Sequence, residues 1–373
     1  MDISIFIPIY GESDRLEKML TLFANQNVSK EIFVAVDEPT EAFSRKIKDH
    51  KEEKEEEKVK FIINSKRNGK ANALNHAVGL SSGEVLLFLD SDIDLPEDPE
   101  YLRKIVMKMQ HTDILDIKKR VIKSKSFLSK MAYYEYLSFN INSWLASRFM
   151  QKCPAVNGSA FAMRREMFEK VQGFRRVVAE DIDIATRAFL KDSRFAYFQE
   201  VEVQNLVYSN WHQWYTQRKR WAVGQALWLK EWYRELTNHF IKKPQVFLPG
   251  LFFLYPSIAI FFISAIIPSL WMYDSLLIFS LFLSVKFNIA LPIFLVSLAT
   301  ADILKILMIS MSGFIATAAV FYGFSRKLGF YEVKLHELFV YYFFYSAVWM
   351  AIIVAGHIQV LLLGKKTGPD WKT

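Results

Sequence analysis

Short aliphatic and β-branched runs recur early in the chain, at Ile3–Ile9, Glu31–Val36, Val59–Ile63 and Glu84–Leu89. Between them, apolar residues return every three or four positions over Asp14–Gln26, Thr40–Glu57 and Lys70–Leu80. The first pattern predicts strands and the second amphipathic helices. Their alternation predicts an α/β domain with a mostly parallel sheet and helices on both faces. In such sheets, ligands bind outside the carboxyl ends of the strands. Polar residues collect at those ends: Pro8, Tyr10 and Glu12 after the first strand, Asp37 and Glu38 after the second, Asn64 to Lys70 after the third, Asp90 and Asp92 after the fourth. Helical periodicity reappears at Ile184–Leu190 and through the tryptophan-rich stretch Trp211–Tyr233.

After Lys243 the pattern changes, because charges become rare. A transmembrane helix needs ~20 mostly apolar residues. The segments 246–273, 275–299, 303–324 and 338–363 reach that length, the second interrupted by Lys286 and Asn288. The expected organisation is therefore a catalytic domain at 1–210, amphipathic interfacial helices at 211–243, and an α-helical transmembrane domain of about four helices at 244–373. The apolar run near Met1 is too short for a signal-peptide core and lacks preceding positive charge. The expectation is a multi-pass protein of the cell membrane with its catalytic domain in the cytoplasm.

Charge and cysteine content narrow the chemistry. The formal net charge is +8, with 47 Lys and Arg against 39 Asp and Glu. That balance suits nucleotide diphosphates and anionic lipid. No basic stripe accompanies a recognisable reader module, so nucleic acid is not an expected partner. Cys153 is the single cysteine, which excludes an intrachain disulfide and a zinc cluster. The absence of GxGxxG and GxxxxGK[ST] patterns removes support for dinucleotide enzymes and P-loop nucleotidases.

Three motifs carry candidate chemistry. In LLFLDSDID, a buried strand runs into Asp90 and Asp92. Hard cations such as Mg²⁺ or Mn²⁺ take one or two carboxylates plus substrate phosphate oxygens; the same spacing also serves turns. Glu180-Asp181-Ile182-Asp183 opens a helix, where acids complement the helix dipole or act as a base toward an acceptor hydroxyl. In Gln217-Arg218-Lys219-Arg220-Trp221, Arg220 is suited to a diphosphate and Trp221 to a stacking wall. Trp214, Trp221, Trp228 and Trp232 fall on one helical stripe, which predicts indoles at headgroup level.

Taken together, PIYGES at Pro8, VDE at Asp37, NGKANALN at Asn68, DSD at Asp90, NGSAFAMRR at Asn157, GF at Gly173, EDID at Glu180 and QRKRW at Gln217 resemble glycosyltransferase family 2. The resemblance is to its membrane-integrated branch, with cellulose, chitin, hyaluronan and poly-N-acetylglucosamine synthases. It implies the A-type glycosyltransferase fold, a Rossmann-like mixed sheet. By the same resemblance Pro8, Tyr10, Glu12, Asp37 and Lys70 hold the nucleotide, while Asp90 and Asp92 bind donor and Mg²⁺ or Mn²⁺. Asp181 is the implied base, Gln217 and Arg220 hold the diphosphate, and Trp221 shapes the acceptor site beside Asn157, Gly158, Ser159 and Glu180.

The implied reaction is inverting transfer of a sugar from a nucleotide-diphosphate sugar, UDP-activated by family expectation, to a polysaccharide or glycan. The alternative is single-sugar transfer to a lipid acceptor such as a polyprenyl phosphate. A non-catalytic scaffold is disfavoured because Asp92 and Asp181 are both present. Synthases of this branch carry helices before the catalytic domain, whereas the expected spans here all follow it. A homo-oligomer or a channel partner is the corresponding expectation for a polymer route.

Overall fold

The computed structural model describes residues 1–53, 59–121, 125–208, 210–242 and 290–364, with short pieces at 278–279, 282–283 and 285–286. These residues fall into two compact units, one drawn from Met1–Val246 and Phe343–Thr373, the other from Phe247–Tyr342.

The first unit is built on a sheet of eight strands: β1 (Ile3–Tyr10), β2 (Lys30–Asp37), β3 (Val59–Asn64), β4 (Val85–Leu89), β5 (Ile93–Asp94), β6 (Ile114–Val121), β7 (Ala160–Arg164) and β8 (Phe195–Asn205). Their spatial order is β3-β2-β1-β4-β7-β6-β8-β5. β3, β2, β1 and β4 run parallel, as the βαβ alternation predicts. The other half of the sheet is mixed: β7 is antiparallel to both β4 and β6, β8 is parallel to β6, and β5 is antiparallel to β8. The sheet is thus less uniformly parallel than the early chain alone predicts.

Strand alternation sets the two core layers. Ile3, Ile5, Ile7 and Ile9 of β1 join Val34, Val36, Leu87 and Leu89 on one face. Phe6, Phe33, Leu86, Phe88, Phe161 and Met163 lie on the other. Along the second face, the rings of Phe6 and Phe33 stand 5.5 Å apart, those of Phe6 and Phe88 5.2 Å, and those of Phe88 and Phe161 5.0 Å. These offset and tilted contacts hold β2, β1, β4 and β7 together directly behind the carboxyl ends of the parallel strands.

Helices α1 (Leu16–Ala24), α2 (Glu41–Glu53), α3 (Lys70–Gly79), α4 (Tyr101–Met109), α5 (Phe127–Leu145), α6 (Arg165–Lys170) and α7 (Glu180–Leu190) connect the strands. The expected helix Thr40–Glu57 is seen to Glu53, and 54–58 lie outside the described residues. Helix α8 (Trp211–Lys242) follows β8, and α11 (Ser346–His357) packs along it within the same unit. Their approach is close: a Cβ on Gly356 would stand 2.8 Å from the Cβ of Ala222.

The tryptophan stripe of α8 faces protein. Trp214 is buried and donates through Nε1 to the Tyr345 hydroxyl at 3.0 Å. Trp228 donates to Thr186 Oγ1 at 2.8 Å and Trp232 to Asp183 Oδ1 at 3.1 Å, both on α7. Each indole N–H thereby satisfies a polar group at a helix–helix contact. The expected headgroup stripe thus also forms a seam between α8 and both α7 and the stretch around Tyr345. Periodicity reports which side is buried, not what buries it.

The second unit contains α9 (Ala290–Ser325) and α10 (Leu335–Val340). Two segments are long and apolar enough to cross a membrane, Leu307–Ser325 and Leu335–Leu362, and only 22% and 11% of their apolar windows are buried. A soluble core helix of this composition buries most of its apolar surface. They match the third and fourth expected spans. The first expected span, 246–273, lies outside the described residues, as does most of the second.

Candidate active site

The parallel half of the sheet ends on a crevice lined by Pro8, Lys70, Asp90, Gly158, Glu180 and Asp181, with Phe88, Phe161 and Phe174 among the apolar residues beneath. Five stretches of chain, around Pro8, Lys70, Asp90, Gly158 and Asp181, meet there, and specific contacts bring them together.

Asp37 organises one wall. Its Oδ1 accepts from Asn64 Nδ2 at 2.8 Å, and its Oδ2 accepts from the amides of Asn68 at 3.0 Å and Gly69 at 2.8 Å. Gly69 turns with φ +86°, a conformation open to glycine. That turn starts α3 with Lys70 as its first residue. Asp37 is 6% exposed, and these bonds shape the loop that presents Lys70. Beside it, Tyr10 is exposed and donates to Glu38 Oε2 at 3.0 Å, while the Arg67 guanidinium lies 4.5 Å from the Tyr10 ring centre. Glu12 accepts from Thr40 Oγ1 at 3.0 Å.

The antiparallel insertion of β7 builds the opposite wall. Pairing of Leu89 with Ala160 brings the Ser159 carbonyl to the Asp90 amide at 3.0 Å. Asn157 Oδ1 accepts from the Ser159 amide at 3.1 Å and hydroxyl at 3.0 Å, which tightens the turn. Gly158 then points its amide at Asp181 Oδ2, 2.8 Å away. There is no room for a side chain: a Cβ on Gly158 would stand 2.6 Å from that same oxygen.

Lys70 bridges the walls, its ammonium 2.8 Å from Asp90 Oδ1 and 2.9 Å from Glu180 Oε1. Burial disfavours the ammonium, but Asp90, Glu180 and Asp181 outweigh it and hold Lys70 well above its ordinary pKa. Asp181 behaves oppositely. Burial, then the Glu180 charge, push its carboxyl up to about 6, against the opposing pull of Lys70 and the amides of Ile182 and Gly158. A carboxylate poised there accepts a proton near neutral pH far more readily than an exposed aspartate.

Asp92 lies at the exposed mouth of the crevice. Restricted hydration and then the neighbouring Asp90 charge raise its pKa, while Lys70 and Arg220 lower it. Asp90 and Asp92 are hard oxygen donors of like charge, Asp90 with Lys70 on its Oδ1 at 2.8 Å and Asp92 with Arg220 in electrostatic reach, and such donors fit a divalent cation that also takes phosphate oxygens from a ligand. Among the described residues no cluster of three or more metal-type side chains occurs. Arg220 is exposed on α8 and within electrostatic reach of Asp92. Gln217 and Trp221 are half-buried on the same helix.

The third acid of the EDID motif has a different place. Asp183 is 2% exposed and bound by Arg175, by Arg187 Nε at 2.8 Å and by Trp232. Its partners are spent on fixing α7. Arg218, to which the motif assigns no separate role, forms a buried ion pair with Glu135, Nη2 to Oε2 at 2.5 Å. The available signal was a lone glutamate inside the aromatic run MAYYEYLSF.

Comparison with known proteins agrees with this architecture. Residues 4–172 match the family model for glycosyl transferase family 2. Over 366 residues the chain is 24% identical to the Probable glycosyltransferase YdaM of Bacillus subtilis (strain 168), covering 94% of this chain and 81% of that protein. Poly-beta-1,6-N-acetyl-D-glucosamine synthase of Staphylococcus epidermidis is 25% identical over 228 residues, which cover 60% of this chain and 54% of the synthase. Among solved structures, the mannosyltransferase PcManGT from Pyrobaculum calidifontis, in complex with GDP-Man and Mn²⁺, aligns with a TM-score of 0.53 and 17% identity. That alignment covers 92% of this chain and 87% of the mannosyltransferase, and speaks for the fold alone.

Proposed function

We propose that the protein is a membrane-bound, inverting glycosyltransferase that moves a sugar from a nucleotide-diphosphate sugar to a glycan acceptor. The observation that carries this reading is the convergence of Asp90, Glu180, Asp181 and Lys70 on one crevice, with Arg220 within electrostatic reach of Asp92. Pro8, Tyr10, Glu12 and the Asp37-ordered loop form the nucleotide side. Asp90 and Asp92 are suited to holding Mg²⁺ or Mn²⁺, which when bound neutralises diphosphate charge.

In this reading the acceptor enters beside Trp221 and the Asn157–Ser159 turn. Asp181 takes the proton from its attacking hydroxyl, and the anomeric bond to the diphosphate breaks as the new glycosidic bond forms on the opposite face. The amides of Gly158 and Ile182 fix the direction of the Asp181 carboxylate. Glu180 and Lys70 tune its basicity in opposite directions. Arg220 and Gln217 receive the departing diphosphate. One displacement inverts the anomeric centre, and no carboxylate nucleophile takes part.

The two weakly buried apolar helices support attachment to a bilayer. The test is release of nucleotide diphosphate from a panel of UDP- and GDP-sugars by the protein purified in lipid with Mg²⁺ or Mn²⁺, followed by sizing of the glycosylated product. Long ladders identify a polymerase. A single sugar on lipid identifies transfer to a polyprenyl phosphate or glycolipid, and no release with any donor refutes the transfer reading.

A further inference from the structure

Within Gln217-Arg218-Lys219-Arg220-Trp221, Arg218 is the buried cation. It is 2% exposed, whereas Lys219 and Arg220 are exposed. Its partner Glu135, also 2% exposed, comes from α5. The Glu135 oxygen that accepts from Arg218 also accepts from the Tyr345 hydroxyl at 3.1 Å, and that hydroxyl accepts from Trp214 at 3.0 Å. The guanidinium lies 4.1 Å from the ring centre of Trp221, 5.4 Å from Trp349 and 5.8 Å from Trp214. Trp349 in turn meets Trp221 edge-on, with centroids 6.5 Å apart.

This cluster is costly in one respect. Among the described residues, Nε and Nη1 of Arg218 and Oε1 of Glu135 are buried without hydrogen-bond partners. The π faces of the indoles compensate the cation in part. Replacing a buried ion pair with apolar residues of similar volume is often neutral or stabilising. A pair of this kind, only partly satisfied, contributes little to stability, but a planar guanidinium stacked on a ring fixes that ring's orientation.

We propose that the Glu135–Arg218 pair is a positioning device for the acceptor end of the site. It sets the plane of Trp221 and, through the same turn of α8, the origin of the Arg220 side chain. Tyr345 and Trp349 tie that setting to the apolar C-terminal helix. The inference rests on the glycosyl-transfer reading and assigns Arg218 no contact with donor. Its loss separates acceptor use from nucleotide binding and from folding.

The experiment compares the unaltered protein, the double variant Glu135→Met with Arg218→Met, and Arg218→Lys, all purified in lipid. Four quantities are read: the unfolding temperature, the affinity for UDP and GDP, nucleotide release from the preferred donor, and the ratio of sugar transferred to nucleotide released. For the double variant we expect unfolding within a few degrees, nucleotide affinity within twofold, at least tenfold slower transfer, and a lower transfer ratio as water replaces the acceptor. Arg218→Lys keeps the charge but loses the planar stack, and should show the same split more weakly. It carries the test if the double variant does not fold. Transfer rate and ratio unchanged in whichever variant folds would overturn the proposal, as would loss of nucleotide binding in step with activity. No nucleotide release by the unaltered protein would remove the transfer reading, and this inference with it.

Discussion

Replacing Gly158 with alanine probes the site with a single carbon atom. Gly158 is not among the residues with positive φ, so its backbone conformation suits an L-residue and the substitution acts by volume alone. The new Cβ would stand 2.6 Å from Asp181 Oδ2 and 3.0 Å from its Cβ and Cγ. Ordinary contact begins at 3.4 Å, so the carboxylate or the 157–159 turn must yield by about 0.8 Å, the difference of the two distances. A misplacement of ~1 Å at a reacting group costs ~10²-fold. We therefore expect a fall of ~30- to 100-fold in turnover, or ~2–3 kcal/mol in the barrier. The displacement also lengthens the 2.8 Å bond from the Gly158 amide, one of the contacts that lower the Asp181 pKa. The acid limb of the pH–rate profile should consequently move upward. The assay is nucleotide release at saturating donor across pH, with UDP and GDP affinity and unfolding temperature measured in parallel. Turnover within threefold of the unaltered protein, with folding intact, would refute the role given to this contact.

Other expectations are briefer. Asp181→Asn should slow transfer by ~10²- to 10⁴-fold while donor binding survives; near-normal turnover would remove Asp181 from the chemistry. Because burial and Glu180 hold the Asp181 carboxyl at about 6, and only its ionised form takes a proton, kcat/KM should fall tenfold per pH unit below about 6. A profile flat down to pH 5 would contradict the assignment. Lys70→Met removes the cation that lowers the Asp181 pKa, so the same limb should shift to higher pH, with weaker activity at pH 7. Asp92→Ala should weaken donor binding in Mg²⁺ or Mn²⁺ more than in chelator, by calorimetry; equal loss in both would count against a cation at this position.

Much of this architecture is legible in the order of residues. The short continuous apolar runs of β1, β2 and β4 announce strands buried on both faces, and their polar carboxyl ends mark one edge of the sheet. What the pattern does not contain is β7, whose antiparallel insertion brings Ser159 to Asp90 and Gly158 to Asp181. That pairing spans a sequence separation that no local periodicity encodes. Within EDID, three acids look alike in sequence, yet Asp183 is committed to Arg175 and Arg187 while Asp181 faces the crevice. Likewise, the motif on α8 contains three cations, and helical phase alone does not say that Arg218 turns inward to Glu135.

The contact of Ala222 with Gly356 gives the catalytic unit a mechanical property. With a Cβ-sized gap closed between α8 and α11, and Val360 packed on Val223 and Ala226 further along, the two helices move as one lever. Ala222 immediately follows Trp221. Any shift of α11 along this contact is then delivered to Trp221 within one residue, and Trp349 on α11 meets the Trp221 ring edge-on, so the seating of one helix on the other sets the attitude of that indole.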